Sequence, residues 1–162
     1  MSFQAAVKRS LAAVAQQTPP LGVPVQARVE LRATVPVLRT TNVALTVDWY
    51  CRSLGFAAQT FPPQAPHEFA MLTRDRAELM IRRALTDEEV VHRESEWDLF
   101  IRVSGEIDAL FERLRGVEQI VRPLEVMPYG DVEFEVRDPD GHVVCLGEHE
   151  SERAASGDAS AV

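Results

Sequence analysis

Met127-Pro128-Tyr129-Gly130-Asp131-Val132-Glu133-Phe134-Glu135-Val136-Arg137-Asp138-Pro139-Asp140-Gly141-His142 decides the reading of this chain. An aromatic-glycine turn at Tyr129-Gly130 leads into a stretch where Val132, Phe134 and Val136 alternate with Glu133 and Glu135. Such alternation marks a strand with one apolar and one polar face. Asp138-Pro139-Asp140-Gly141 then reads as a tight turn. Proline presets φ at the first central position, and glycine accepts angles that a β-carbon forbids. Turn chemistry accounts for all four residues, so the turn is read as structural.

Strand patterns flank this stretch at Gln119-Ile120-Val121 and at Val143–Gly147. Upstream, Trp97–Val103 reads as a strand, with Asp98 and Phe100 on one face and Trp97 on the other. Ser104 is the expected cap of a helix whose Ile107, Leu110, Phe111 and Leu114 share one side, and Gly116 ends it. The first half repeats the order. A strand over Leu31–Arg39 precedes Asn42, a helix cap, and Val43, Val47, Tyr50 and Leu54 give the helical face that Gly55 closes. A loop follows at Pro62-Pro63-Gln64-Ala65-Pro66, then a hairpin of Phe69–Thr73 and Ala77–Ile81 around Arg74-Asp75-Arg76. Ala84–Glu96 is charged and reads as a loop.

Strand, capped helix, glycine and three strands therefore occur twice. The expected class is α+β: two βαβββ modules forming a curved mixed sheet with a concave ligand groove. Residues 1–28 are expected to be a helix and linker. The helix is marked by Phe3, Val7, Leu11 and Val14, and either packs on the domain or a partner or stays loosely held. Residues 29–148 form the expected domain, and 149–162 a disordered tail.

The chain has 162 residues, 46% of them hydrophobic, which suffices for a core. Its net charge of −8 disfavours nucleic acid and anionic membrane; it either suits a cationic ligand or serves solubility alone. Cys51 and Cys145 have neither CxxC nor zinc spacing and read as reduced thiols of a cytoplasmic protein. No apolar run reaches transmembrane length, and no Ser-His-Asp or Cys-His arrangement is legible.

Val35-Pro36-Val37-Leu38 with Trp49-Tyr50-Cys51-Arg52-Ser53-Leu54-Gly55-Phe56, the Phe69–Asp75 hairpin, and Pro128-Tyr129-Gly130 through Asp138-Pro139-Asp140-Gly141 together resemble the vicinal oxygen chelate superfamily over roughly Val35 to Glu148. That superfamily includes glyoxalase I, extradiol dioxygenases and bleomycin resistance proteins. The last stretch is similar to the PWG…F…RDPDG signature of the antibiotic-binding branch, with Tyr129 in place of its Trp. The resemblance implies a homodimer that sequesters a planar, cationic, bleomycin-like antibiotic in grooves between subunits and so confers resistance. It places stacking aromatics at Tyr129 and Phe69. It places the superfamily's metal-ligand positions at Val35, near Met80, on or near Asp98, and at Cys145. Valine and methionine offer a hard cation no usable donor, so the expectation is no metal, no cofactor and no catalytic residue. Val35, Val37, Met80 and Cys145 then become an apolar floor, with Asp98 and Phe100 facing the groove. Asp131, Glu133 and Glu135 either attract a cationic drug or are merely solvated. Arg82 and Arg83 oppose a cation if they line the groove. The alternatives are a metal-dependent lyase or dioxygenase on the same scaffold, or a binder of another small metabolite.

Overall fold

The computed structural model describes residues 32–86, 89–90 and 97–157. The expected helix over residues 3–17 and most of the charged loop before Trp97 lie outside them. In chain order the elements are β1 (Val37–Thr40), α1 (Val43–Leu54), β2 (Ala57–Phe61), β3 (Phe69–Arg74), β4 (Ala77–Arg83), β5 (Leu99–Arg102), α2 (Ile107–Arg115), β6 (Gln119–Val126), β7 (Asp131–Arg137), β8 (Val143–His149) and α3 (Glu150–Gly157). All belong to one compact unit, Val35–Val162.

The two βαβββ modules are present, each with its own four-stranded mixed sheet. Strand order is β1-β4-β3-β2 in the first and β5-β8-β7-β6 in the second. In each module the first strand runs parallel to the last, and the rest are antiparallel. A parallel pair needs a crossover longer than a turn, which α1 and α2 begin.

Asn42 caps α1 as expected, accepting from the Leu45 N–H at 3.2 Å. Gly55 closes α1 in the left-handed region at φ 69°. The second helix departs from expectation. Its cap is Glu106 at φ 58°, with no side-chain hydrogen bond, and Gly116 closes it without a left-handed turn. Gly105 (φ 81°) and Glu106 both swing left-handed, which carries Ser104 away from the helix start.

Within the expected tail, Glu150–Gly157 forms a helix, and residues 158–162 lie outside the described residues. Glu150 and Glu152 sit in its first turn, where acids complement the helix dipole, and Arg153 pairs with Asp108 at 2.8 Å.

One apolar core spans both modules. Leu38, Leu72, Leu79 and Ile81 meet Val47, Tyr50 and Leu54 of α1, while Leu99, Phe134, Val136, Val144 and Leu146 meet Ile107 and Leu114 of α2. The modules are fastened through α1. Asp140 of the β7–β8 turn accepts from the Thr41 N–H (3.2 Å) and the Thr46 hydroxyl, and Asp138 accepts from the Tyr50 hydroxyl (3.3 Å). At the far end, Glu118 accepts from Trp49 Nε1 (2.6 Å) and the Ser53 hydroxyl, and Arg113 donates to the Ser53 carbonyl. No helix among the described residues is long and apolar enough to cross a membrane.

Candidate functional site

Residues two apart on a strand share a face, so each sheet turns alternate residues away from the helices. Val37, Met80, Met71 and Gln59 make one cross-strand row on that outer face of the first sheet. Arg39, Arg82, Phe69 and Phe61 make the next. Phe61 and Phe69 stack at 5.3 Å and remain 57% and 37% exposed, an unusual amount of aromatic surface to leave uncovered. Arg82 lies on this face, whereas Arg83 has the opposite parity and pairs with Glu68 at 3.0 Å.

The corresponding row of the second sheet is Phe100, Cys145, Glu135 and Arg122. Alternation would put Arg122 on the same side as Ile120, which pairs with core-facing Val136. Register shifts on both sides of Arg122 bring it opposite Glu135 instead. Re-aiming a side chain is what a β-bulge does. As an edge strand, β6 also tolerates Pro123, whose missing N–H costs no ladder bond on the open side.

Arg122 Nε donates to Glu135 at 2.8 Å and Nη2 to Glu133 at 3.0 Å, while Nη1 lies 3.0 Å from Met127 Sδ. Tyr129 donates its hydroxyl to the Glu133 carboxylate at 2.9 Å, and Trp97 Nε1 donates to Glu135 at 2.8 Å. Arg102 holds Asp131 at 2.6 Å and lies over the Phe100 ring, 5.1 Å from its centroid. The three acids are therefore not solvated. Glu133 is fully buried, Asp131 nearly so, and each is bound to an arginine. Partial burial works against the Arg122 charge, but hydrogen bonds to Glu135 and Glu133 outweigh it and raise its pKa. Burial, then the hydrogen bond to Glu133, push the Tyr129 phenol well up.

Of the expected contacts, Val37, Met80 and Phe69 come together on the first outer face, and Phe100, Cys145 and Tyr129 on the second. Val35 and Asp98 do not join them. Val35 precedes β1, and the residue beside Met80 is Val37. Asp98 precedes β5, accepts from the Val143 N–H at 2.8 Å, and acts on Tyr50 and His142 through its charge. Phe100, not Asp98, lies beside Cys145. Trp97 was expected on the opposite face, yet its ring packs on Phe100 at 5.2 Å. Alternation does not reach Trp97 because β5 begins at Leu99. Arg122, Trp97 and Gly147 escaped sequence reasoning. Only Pro123, a hint of an irregular edge strand, could have drawn attention to β6.

The positions that the resemblance matches to metal ligands are Val35, Met80, Asp98 and Cys145, with Val37 beside Met80 and Phe100 beside Cys145 in the sheets. Three lack a donor suited to a hard cation. The Cys145 thiol is held protonated because burial and the Glu133 charge raise its pKa well above the usual range. This residue set does not fit the superfamily's divalent ion. Asp138, Asp140 and His142 do converge, with ligand atoms within 4.8 Å. They lie in the β7–β8 turn, where Asp138 is bonded to His142 Nδ1 (2.9 Å) and to two backbone N–H groups, and Asp140 is bonded to Thr41 and Thr46. A hollow of roughly 250 Å³ lies at the start of α1, lined by Asn42, Pro66, His67 and Arg83 among others, apart from both outer faces.

No curated protein matches the chain. Among solved structures, TioX from Micromonospora sp. ML1 is 26% identical with TM-score 0.58, over 72% of this chain and 95% of that one. The bleomycin-binding protein from bleomycin-producing Streptomyces verticillus, solved with copper(II)-bleomycin, is 26% identical with TM-score 0.56, over 75% and 98%. Lactoylglutathione lyase from Agrobacterium tumefaciens shares the fold at 16% identity and TM-score 0.57, over 76% and 98%. The family model described as Glyoxalase/Bleomycin resistance protein/Dioxygenase superfamily matches residues 32–146. With two βαβββ modules over the same residues, the chain belongs to the glyoxalase/bleomycin resistance protein/dioxygenase superfamily.

Proposed function

We propose that this protein binds and sequesters a planar, cationic antibiotic of the bleomycin type without performing chemistry on it. The observation that carries the reading is Tyr129. Its ring is 44% exposed on the second outer face, and its hydroxyl is tied to the buried Glu133. A ring held this way gives stacking area with little entropy left to lose. The likeness to a bleomycin-binding protein at 26% identity supports the ligand class. The net charge of −8 favours approach of a cation at long range. The unsuited metal positions argue against the lyase or dioxygenase alternative.

The reading includes a homodimer, in which the exposed Phe61, Phe69 and Val37 of one copy cover the second outer face of the other. It also keeps the chain in the cytoplasm, where the free Cys51 and Cys145 stay reduced. The test is calorimetric titration of metal-stripped protein with bleomycin, with sedimentation to fix the assembly. We expect about one drug per chain on a dimer, and at least tenfold weaker binding in Tyr129→Ala. No binding to the wild type, or undiminished binding to the variant, rejects the reading.

A further inference from the structure

Among the described residues, four strands end a sheet, and three of them carry a guard against pairing with another chain. β1 holds Arg39 and β5 holds Arg102, while β6 holds Arg122, Pro123 and Glu125 together with its register shifts. Charges, proline and bulges on an edge keep its free N–H and C=O groups from recruiting a further strand. β2, Ala57-Ala58-Gln59-Thr60-Phe61, has none of these devices. It is uncharged, free of proline and continuous in register with β3. Apart from that ladder and the Glu68 N–H on the Phe61 carbonyl (2.7 Å), no hydrogen bond reaches its backbone among the described residues. Each of its residues except Thr60 is exposed.

We propose that β2 is an interaction edge that pairs antiparallel with β2 of a second copy, about a two-fold axis at Gln59. The occupant follows from the strand's self-complementarity. An axis at the central residue sets Phe61 opposite Ala57 of the other copy, Thr60 opposite Ala58, and Gln59 opposite itself. A ring meets a methyl group at each end, and at the axis two amides, each both donor and acceptor, bond to one another. A charged residue at that centre would face its own copy, and like charges directly opposite destabilise a pair; β2 has no charge to set there. Directly opposite residues share a sheet face, so Phe61 keeps its stack on Phe69 and gains cover from the other copy's Ala57. Pro62 and Pro63, which lack an N–H, confine the pairing to these residues. The product is one continuous sheet with four strands from each copy. An edge bonds within the plane of its sheet, whereas an outer face presses perpendicular to it. This contact is therefore separate from the face-to-face dimer of the proposed function and goes beyond it.

The experiment traps the register and weighs the assembly, using the full chain with Cys51→Ala as background and circular dichroism verifying the fold of each variant. Directly opposite residues of antiparallel strands stand about 4.5–5.5 Å apart at Cα, within disulfide range. Gln59→Cys should therefore form a disulfide-linked dimer on mild oxidation. Phe61→Cys should not, because its two copies stand about 13 Å apart along the strands. Phe61→Cys mixed with Ala57→Cys should link into a pair. Ala58→Lys points away from the outer face and sets two like charges diagonally across the edge. In sedimentation equilibrium it should have half the mass of wild type. Unlinked Gln59→Cys, equally ready linking of Phe61→Cys, or a wild-type mass for Ala58→Lys overturns the proposal. The masses also separate the two contacts. A wild-type tetramer that Ala58→Lys reduces to a dimer supports both. A wild-type dimer that Ala58→Lys reduces to a monomer leaves the edge and removes the face-to-face dimer. A wild-type monomer removes the edge pairing.

Discussion

Gly147 shows how closely the second outer face is packed. A β-carbon there would stand 2.6 Å from Phe100 Cζ and 3.2 Å from Glu133 Cγ. The Phe100 ring cannot simply turn aside, since Trp97 packs on it and Arg102 lies over it. Gly147→Ala should therefore cost about 1–3 kcal/mol as overpacking. Urea unfolding measures this, and Trp97 emission should shift in the folded variant. An unchanged midpoint and spectrum would mean that the ring moves freely. At this scale the sequence was partly legible. Tyr129 stood out because a glycine and an alternating strand follow it. Trp97 and Arg122 did not, because their placement depends on where β5 begins and on two bulges, and neither leaves a mark in local periodicity.

Among the elements, α1 agrees in sequence and structure throughout, and it is bonded to the second module at both ends. Its start at Asn42 and stop at Gly55 were legible because capping is local chemistry. The second helix was misread at its start because a hydroxyl at the right spacing is a poor guide where the chain enters in the left-handed region. What α1 binds was not legible at all, since its partners lie 60 to 94 residues away along the chain. The β7–β8 turn against it contains a buried histidine, His142, facing Asp138, Asp98 and Asp140, with Tyr50 donating to Asp138. Burial lowers the His142 pKa, but the hydrogen bond and charge of Asp138, then the charges of Asp98 and Asp140, overcome it and raise it. A raised folded-state pKa means that the proton stabilises the fold. That contribution is complete below the unfolded value of about 6.5 and fades as pH rises through the higher folded value. Denaturation midpoints of the wild type should accordingly fall as pH rises above the usual histidine range, with a shallower fall in His142→Gln. Parallel curves for the two proteins would exclude His142 as the source.

At the scale of the whole molecule, duplication was legible because strand, helix, glycine and three strands recur in order. The divergence of the copies was not. One outer face sets sulfur and aromatic surface (Met71, Met80, Phe61, Phe69) beside Arg39 and Arg82, and its counterpart is an arginine-carboxylate lattice between exposed rings. Such a difference appears only when register sets residues side by side. Yet the modules remain joined, because α1 of the first is bonded at both ends to the second, through Asp140 and Glu118. The peptide link between them should therefore be dispensable for their association. Two separate polypeptides, one ending at Thr86 and the other beginning at Trp97, should associate when co-expressed and copurify with only one tagged. Glu118→Ala with Asp140→Ala should let the untagged piece wash away, and retention in that double variant would show that the apolar core alone suffices. Heredity could then shuffle the halves as exchangeable parts, so that a new ligand preference arises by trading one half for another rather than by rebuilding a whole chain.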